Sequence, residues 1–359
     1  MRSKSTSSNI PLVLAREALC PKFGAKRRPY AEYPTVSGRS CRQNPAEATD
    51  GDTVSSLHIQ TPLLESQPLS GSAGTSIWLK MEALQPSGSF KIRGIGLACS
   101  ERVRQGARRL VSSSGGNAGI AVAYSGAQLG VPVIVVVPAT TTATAKEHIS
   151  SHGAEVIVEG SSWNEAHEYA LGLAEDGTAY IHPFDDPIVW RGHSSLIDEI
   201  AESGLKPDAI VTSVGGAGLL CGILEGLHQN DWQHVPVIAV ETEGADCLHR
   251  TVQSGSLIEL EEITSIATSL GSKRVCARAL KWTKEHEIHS VVVTDASAVD
   301  SCLRFVADHR VLVEPACGAS LSIVYEPIDL LKDKRIVLVV VCGGVGVTLE
   351  QLETWRDTI

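Results

Sequence analysis

Aromatic residues are scarce in this chain: six Trp, six Tyr and four Phe among 359 residues, with only two Met beside them. The chain is also acidic overall, with a net charge of −10. It therefore lacks the cationic, stacking surface that nucleic-acid binding uses, and no nucleic-acid partner is expected. No apolar run approaches the ~20 residues of a membrane helix, so no membrane partner is expected either. The longest runs, Val133–Val137 and Ile336–Cys342, have the length of buried strands. There is no C-x-x-C pair. The nine cysteines (Cys20, Cys41, Cys99, Cys221, Cys247, Cys276, Cys302, Cys317 and Cys342) follow no regular spacing and read as thiols of a reducing compartment. No apolar segment follows the first basic residues, so no secretory signal is expected.

What is present is unevenly spread. Residues 1–45 hold nine Lys/Arg and two acidic residues, a net +7, whereas 46–359 hold 22 basic and 39 acidic residues, a net −17. Residues 1–56 are rich in Ser, Arg, Lys and Pro and show no periodicity. They read as a disordered extension, with a transit peptide or a misassigned start as alternatives. The expected location is cytoplasmic, or mitochondrial if the extension is a transit peptide.

From Leu57 the pattern becomes regular. Apolar runs at Ser76–Lys80, Arg109–Ser112, Val133–Val137, Glu155–Val158, Ala209–Ser213, Val237–Val240, Ser290–Val293 and Ile336–Cys342 alternate with helical stretches such as Ala118–Leu129 and Trp163–Ala174. Gly130 and Gly153 read as helix stops. The alternation predicts an α/β fold with mainly parallel sheets and helices on both faces, and the length predicts two domains.

Three strand-to-helix turns are rich in glycine: Ser112–Gly119, Ser213–Leu219 and Cys342–Gly346. Ligands of open α/β sheets sit beyond the carboxyl ends of the strands. Without a Cβ the backbone approaches an anion closely, and a helix N-terminus adds positive partial charge, so Gly215–Leu219 reads as a phosphate cradle. It is neither a Walker loop, since no Gly-Lys-Ser/Thr follows, nor a G-x-G-x-x-G turn. Taken alone, each turn reads first as a tight turn with no ligand; the three together favour one ligand cleft. In Pro86–Gly94 a lysine, Lys91, stands between Phe90 and Ile92 at the start of a helical stretch. Desolvation and the helix's positive end would push its amine toward the neutral, nucleophilic form that attacks an aldehyde to give a Schiff base. Read alone, Lys91 and Arg93 are first a solvated helix face.

Taken together, Ser87–Gly94, Gly115–Gly119 and Gly215–Leu219 resemble the fold-type II pyridoxal-phosphate (PLP) enzymes, the tryptophan synthase β-like fold. The nearest resemblance is to the eukaryotic L-serine/L-threonine dehydratases. Thr61-Pro62, Phe184–Pro187 with Trp190, Gly192 and His193, and Val313–Ala319 agree with it. The resemblance runs from about Leu57 to the C-terminus. It implies a small domain, 85–188, set into a large one formed by 57–84 and 189–359, with PLP in the cleft and two copies forming a homodimer.

The same resemblance assigns roles. Lys91 would hold PLP and serve as the base at Cα, and Phe90 would pack on the cofactor ring. Ser114, Gly116, Asn117 and Ala118 would grip the substrate carboxylate, with Asn117 also bordering the cofactor. Gly215, Gly216, Ala217, Gly218 and Leu219 would bind the phosphate, and Cys342 would face the pyridine nitrogen. Gly215, Glu241, Ala245 and Leu270 would hold a monovalent cation such as K+. The implied reaction is α,β-elimination of L-serine and L-threonine, small amino-acid substrates, to pyruvate or 2-oxobutanoate and ammonia. Alternatives are a PLP-dependent β-replacement or other lyase reaction, or a catalytically silent binding protein of the same fold.

The chain departs from the dehydratases at Ala217, usually Gly, and at Val345-Gly346, commonly Ser-Asn. Serine racemases carry a Ser acid where Gly115 stands, so racemisation is not expected. Seventeen residues follow Cys342, so the C-terminal regulatory domain of biosynthetic threonine deaminases is not expected.

Overall fold

The computed structural model describes residues 56–359, and the reading of the N-terminal extension lies outside the described residues. The described residues belong to one compact unit that begins at Thr53. Its strands are β1 (Leu63–Glu65), β2 (Ser76–Lys80), β3 (Arg109–Ser112), β4 (Val133–Val137), β5 (Glu155–Val158), β6 (Thr178–Tyr180), β7 (Ala209–Ser213), β8 (Val237–Thr242), β9 (Ile288–Val293) and β10 (Ile336–Val340). They form a six-stranded sheet in the order β1-β2-β10-β7-β8-β9 and a four-stranded sheet in the order β5-β4-β3-β6. Every pair is parallel except β1 with β2, which share the register Leu63 opposite Lys80.

The sequence shows why. The central strands β4, β7 and β8 are buried along their whole length, as parallel strands covered by helices on both faces must be; β4 is apolar throughout, while β7 and β8 begin apolar and end in Thr212-Ser213 and Glu241-Thr242. Helix starts are marked by side-chain caps: Thr142, Ser162, Asp186, Thr294 and Thr348 each accept an N–H from the first turn of the helix that follows. Gly130 closes the helix Asn117–Leu129 in the left-handed conformation, at φ 67°. Gly153, at φ 81°, follows the helix Ala143–Ser151 in the same region.

Two strands, β1 and β6, escape the sequence pattern because each has three residues and none of the six is buried. The expected strand Ile336–Cys342 ends at Val340. Val341 instead donates its N–H to the Lys80 carbonyl (3.0 Å) and the Cys342 carbonyl accepts the Phe90 N–H (3.1 Å), which turns the chain toward the segment before Lys91. No described helix is long and apolar enough to cross a membrane.

Candidate active site

The loop Pro86–Phe90 and the loop after β10 are stitched together. Gly344 donates to the Gly88 carbonyl (2.9 Å), and Ser89 bridges Gly343. Gly343 and Gly344 sit at φ 88° and 121°, where a side chain would be strained. This seam fixes the start of the helix Lys91–Arg104, whose first residue is Lys91. The Lys91 Nζ donates to the Pro183 carbonyl (2.8 Å) and lies 5.2 Å from the centre of the Phe90 ring. Burial pushes its amine down to about 8, while Cys342 and Glu314 pull the other way. That agrees with the desolvation expected from the sequence. The centre of the Phe90 ring also lies 5.0 Å from that of His193, the two rings tilted at 56°. Both ring nitrogens of His193 are buried without a partner among the described residues, and burial holds it neutral.

The turn between β7 and the helix Gly218–Gln229 holds Gly215, Gly216 and Ala217, and Leu219 lies in the first turn of that helix. Ala217 is left-handed at φ 69°. A Cβ on Gly216 would meet the Phe184 ring at 2.5 Å, and one on Gly218 would meet the Phe184 carbonyl at 2.8 Å. The Trp190 Nε1 donates to that same carbonyl (2.6 Å), locking Phe184 against the turn. A Cβ on Gly215 would stand 3.0 Å from Leu270 Cα, which places Gly215 and Leu270 together.

Glu241, at the end of β8, is fully buried, and its carboxylate accepts the N–H groups of Leu248 (2.8 Å) and His249 (2.7 Å). Burial raises it to about 8. Ala245 lies in the turn that follows, its N–H donating to Thr242 (2.9 Å), and the Cys247 thiol reaches the Gly215 carbonyl at 3.7 Å. No group of three or more metal-ligating side chains exists among the described residues, so a cation here would rest mainly on carbonyl oxygens.

Ser114, Gly115 and Gly116 form the turn after β3, and Asn117 and Ala118 open the helix Asn117–Leu129. Gly116 has open space where a side chain would be. A Cβ on Gly115 would lie 2.7 Å from Thr141 Oγ1, so the position expected to hold an acid in racemases is filled from behind by Thr141. Cys342 is 6% exposed. The neighbouring Cys317 thiol and burial both hold it protonated.

The sequence reading assigned no role to Glu314, to Pro183, or to the Phe184–Trp190 pair behind the cradle. It also left out the ion cluster behind the lysine helix. There Arg93, fully buried, donates to Glu82 (2.7 and 2.8 Å) and to Glu199 (2.7 and 2.8 Å), and Lys80 pairs with Glu199. The signals that could have exposed these residues were an arginine two residues after Lys91 and a glutamate before the helix-opening Pro315.

The residues present fit a phosphorylated aldehyde cofactor. A glycine turn too crowded for side chains faces a helix N-terminus, a buried amine is held toward its neutral form, and the Ser87, Ser89 and Ser213 hydroxyls are buried without partners among the described residues. Fold and site together define an α/β protein with a desolvated lysine at a helix start and a crowded glycine turn at a second helix start.

Comparison with known proteins agrees. Residues 54–343 match the family model described as pyridoxal-phosphate dependent enzyme. The chain is 48% identical over 312 residues to the mouse L-serine dehydratase/L-threonine deaminase, covering 84% of this chain and 95% of that one. It is 46% identical over 310 residues to a human serine dehydratase-like protein, covering 84% and 94%. Among solved structures, the L-serine ammonia-lyase of the fungus Rhizomucor miehei superposes with a TM-score of 0.81 at 37% identity, covering 85% of this chain and 99% of that chain. The chain belongs to the family of pyridoxal-phosphate dependent enzymes, and its fold is that of fold-type II members.

Proposed function

We propose that the protein is an L-serine/L-threonine ammonia-lyase, converting L-serine to pyruvate and ammonia and L-threonine to 2-oxobutanoate and ammonia. The observation that carries this reading is Lys91: an amine at a helix start, desolvated and pushed down to about 8, held on the Pro183 carbonyl beside Phe90 with Cys342 and Glu314 nearby. The printed names of the mouse and fungal relatives support it.

PLP, when bound, supplies an electrophilic aldehyde and a conjugated ring that withdraws electrons from the substrate's Cα. The N–H groups of Gly215, Gly216, Ala217, Gly218 and Leu219, with the positive end of their helix, are suited to hold its phosphate. Phe90 offers an apolar face for the ring. Cys342, kept protonated, offers the ring nitrogen a weak partner without a negative charge. Lys91 accepts the Cα proton, because its depressed affinity for protons leaves it partly free at neutral pH. Ser114, Gly116, Asn117 and Ala118 receive the substrate carboxylate at a second helix start. Over the whole reaction one water leaves from Cα–Cβ and one enters to release ammonia.

Three further parts of the reading rest on the family resemblance. A monovalent cation such as K+ sits at Gly215, Glu241, Ala245 and Leu270, supported by the approach of Gly215 to Leu270 and by the buried Glu241. Residues 85–188, which contain the smaller sheet, form the domain set into the larger one. The enzyme is a cytoplasmic homodimer, which sedimentation velocity and cell fractionation read directly.

The activity is tested by measuring 2-oxo acid and ammonia from L-serine, L-threonine and D-serine, with Lys91→Ala as control. Both L-isomers react, D-serine does not, and the variant is inactive. Silence toward both L-substrates by cofactor-loaded enzyme would reject the assignment.

A further inference from the structure

Glu314 is a buried carboxyl, 6% exposed, that none of the roles above uses. It precedes Pro315, the first residue of the helix Pro315–Tyr325, which packs against β7 and β8 of the larger sheet. Its Oε1 accepts the Nδ2–H of Asn117 at 2.7 Å. Asn117 opens a helix that packs on β3 and β4 of the smaller sheet. One hydrogen bond thus joins elements of the two sheets at the substrate turn. The space for the carboxyl exists because residue 344 is glycine: a β-carbon there would overlap Glu314.

The chemistry of the pair restricts its geometry. An ionised carboxylate only accepts hydrogen bonds, whereas the two ends of an asparagine carboxamide have the same shape and opposite polarity. Glu314 therefore selects the orientation in which Nδ2 faces it. The Asn117 Oδ1 then accepts the Val345 N–H (3.3 Å). The second Nδ2–H is left with only a long 3.4 Å contact to Ser269 Oγ, the weakest of the three bonds. Burial raises the Glu314 carboxyl above the usual carboxylate range, and the Ser269 hydroxyl, the Asn117 amide, the Gly346 N–H and the Lys91 amine that face it pull the other way, so the 2.7 Å contact from Nδ2 to Oε1 is what sets the carboxamide's orientation.

We propose that Glu314 is a positioning residue: it fixes the carboxamide of Asn117 so that an N–H, and not the oxygen, is presented to the anionic amino-acid substrate. This rests on the placement of the substrate at Asn117 given under the proposed function.

The test uses cofactor-loaded enzyme and compares Glu314→Ala, Glu314→Gln, Asn117→Ala and the double variant Asn117→Ala/Glu314→Ala. Two readouts are taken: KM and kcat for L-serine, and the affinity for L-alanine, which has no β-hydroxyl to lose, followed by the change in cofactor absorbance. Glu314→Ala weakens L-alanine binding and raises KM about tenfold, with a smaller change in kcat. Glu314→Gln, which keeps an acceptor oxygen, recovers affinity to within about threefold of the parent. The double variant binds within about twofold of Asn117→Ala alone.

Unchanged L-alanine affinity in Glu314→Ala overturns the proposal. So do losses that multiply in the double variant, or a Gln variant as weak as Ala. Should Glu314→Ala fail to fold, the same cycle is run with Glu314→Gln: its small effect must vanish in the Asn117→Ala background, and persistence overturns the proposal. If the parent enzyme releases no 2-oxo acid, the lyase reading fails while the L-alanine cycle still reports on Glu314.

Discussion

The ring of Phe184 fills the place where a side chain on Gly216 would stand: a Cβ there would lie 2.5 Å from the ring. Phe184 cannot withdraw, because Trp190 holds its carbonyl at 2.6 Å and the same carbonyl stands 2.8 Å from a Cβ placed on Gly218. The glycine turn proposed to hold the phosphate is therefore shaped from behind by an aromatic residue. Gly216→Ala is expected to weaken cofactor binding by about 5- to 150-fold by displacing the turn, since overpacking of this kind costs about 1–3 kcal/mol. Equilibrium dialysis of the variant against PLP measures it. Unaltered affinity would show that the turn yields freely.

Ala217 occupies left-handed backbone at φ 69°, a conformation that costs an L-residue with a Cβ roughly 1 kcal/mol. The dehydratases resembled here usually carry glycine at this point. Ala217→Gly is expected to raise the stability of the apoprotein by about 0.5–1 kcal/mol, net of the greater freedom glycine gains on unfolding. Urea unfolding reads the change, and an equal or lower midpoint would contradict it.

Burial makes Lys91 bind its proton less tightly in the folded chain than in the unfolded one, at about 8 against the ordinary lysine value of 10.5. The unfolded state therefore holds more protons between these two values, so apoprotein stability rises with pH across that window and carries the full penalty below about 8. Replacing the amine with an apolar chain, Lys91→Met, is expected to stabilise the apoprotein at pH 7 by roughly 1–2 kcal/mol, and to remove the rise above pH 8. Capture of PLP by the apoprotein needs the neutral amine, so its rate climbs about tenfold between pH 7 and 9 and then levels. Stopped-flow absorbance follows this directly.

Two residues beyond the lysine, Arg93 holds Glu82 and Glu199 in a cluster closed to water around Arg93 and Glu82. Both glutamates favour the charged guanidinium, which outweighs its burial. Removing one partner strands the other charge. Arg93→Met is expected to destabilise the protein by about 3–5 kcal/mol, and Arg93→Met combined with Glu82→Gln to recover part of it. Thermal unfolding of the three proteins is the check. Destabilisation that simply adds in the double variant would show that the two residues act independently.

Much of the fold is legible in the sequence because parallel strands buried on both faces are near-continuous apolar runs, as Val133–Val137 is throughout and Ala209–Val211 is before the polar Thr212-Ser213 end of β7. β1 and β6 are not legible, being short and partly exposed; their existence depends on neighbours distant in the chain, Trp78–Lys80 for β1 and Arg109–Val111 for β6. Lys91 is legible as a lysine at a helix start, and Gly215–Leu219 as one of three glycine-rich strand-to-helix turns whose combination, and not any one alone, points to a ligand cleft. Glu314 is not, since its place follows from a contact with Asn117, 197 residues away, and from the missing side chain at Gly344. Local pattern shows which residues can do chemistry. Which of them meet is decided by how the two sheets pack.

The account turns on Lys91 as the residue that carries the cofactor. Reducing the cofactor-loaded protein with borohydride and mapping its peptides measures this most directly. The pyridoxyl group is expected on Lys91, in the peptide running through Ser89-Phe90-Lys91. Label on any other lysine, or none on a chain that had bound PLP, would contradict the account.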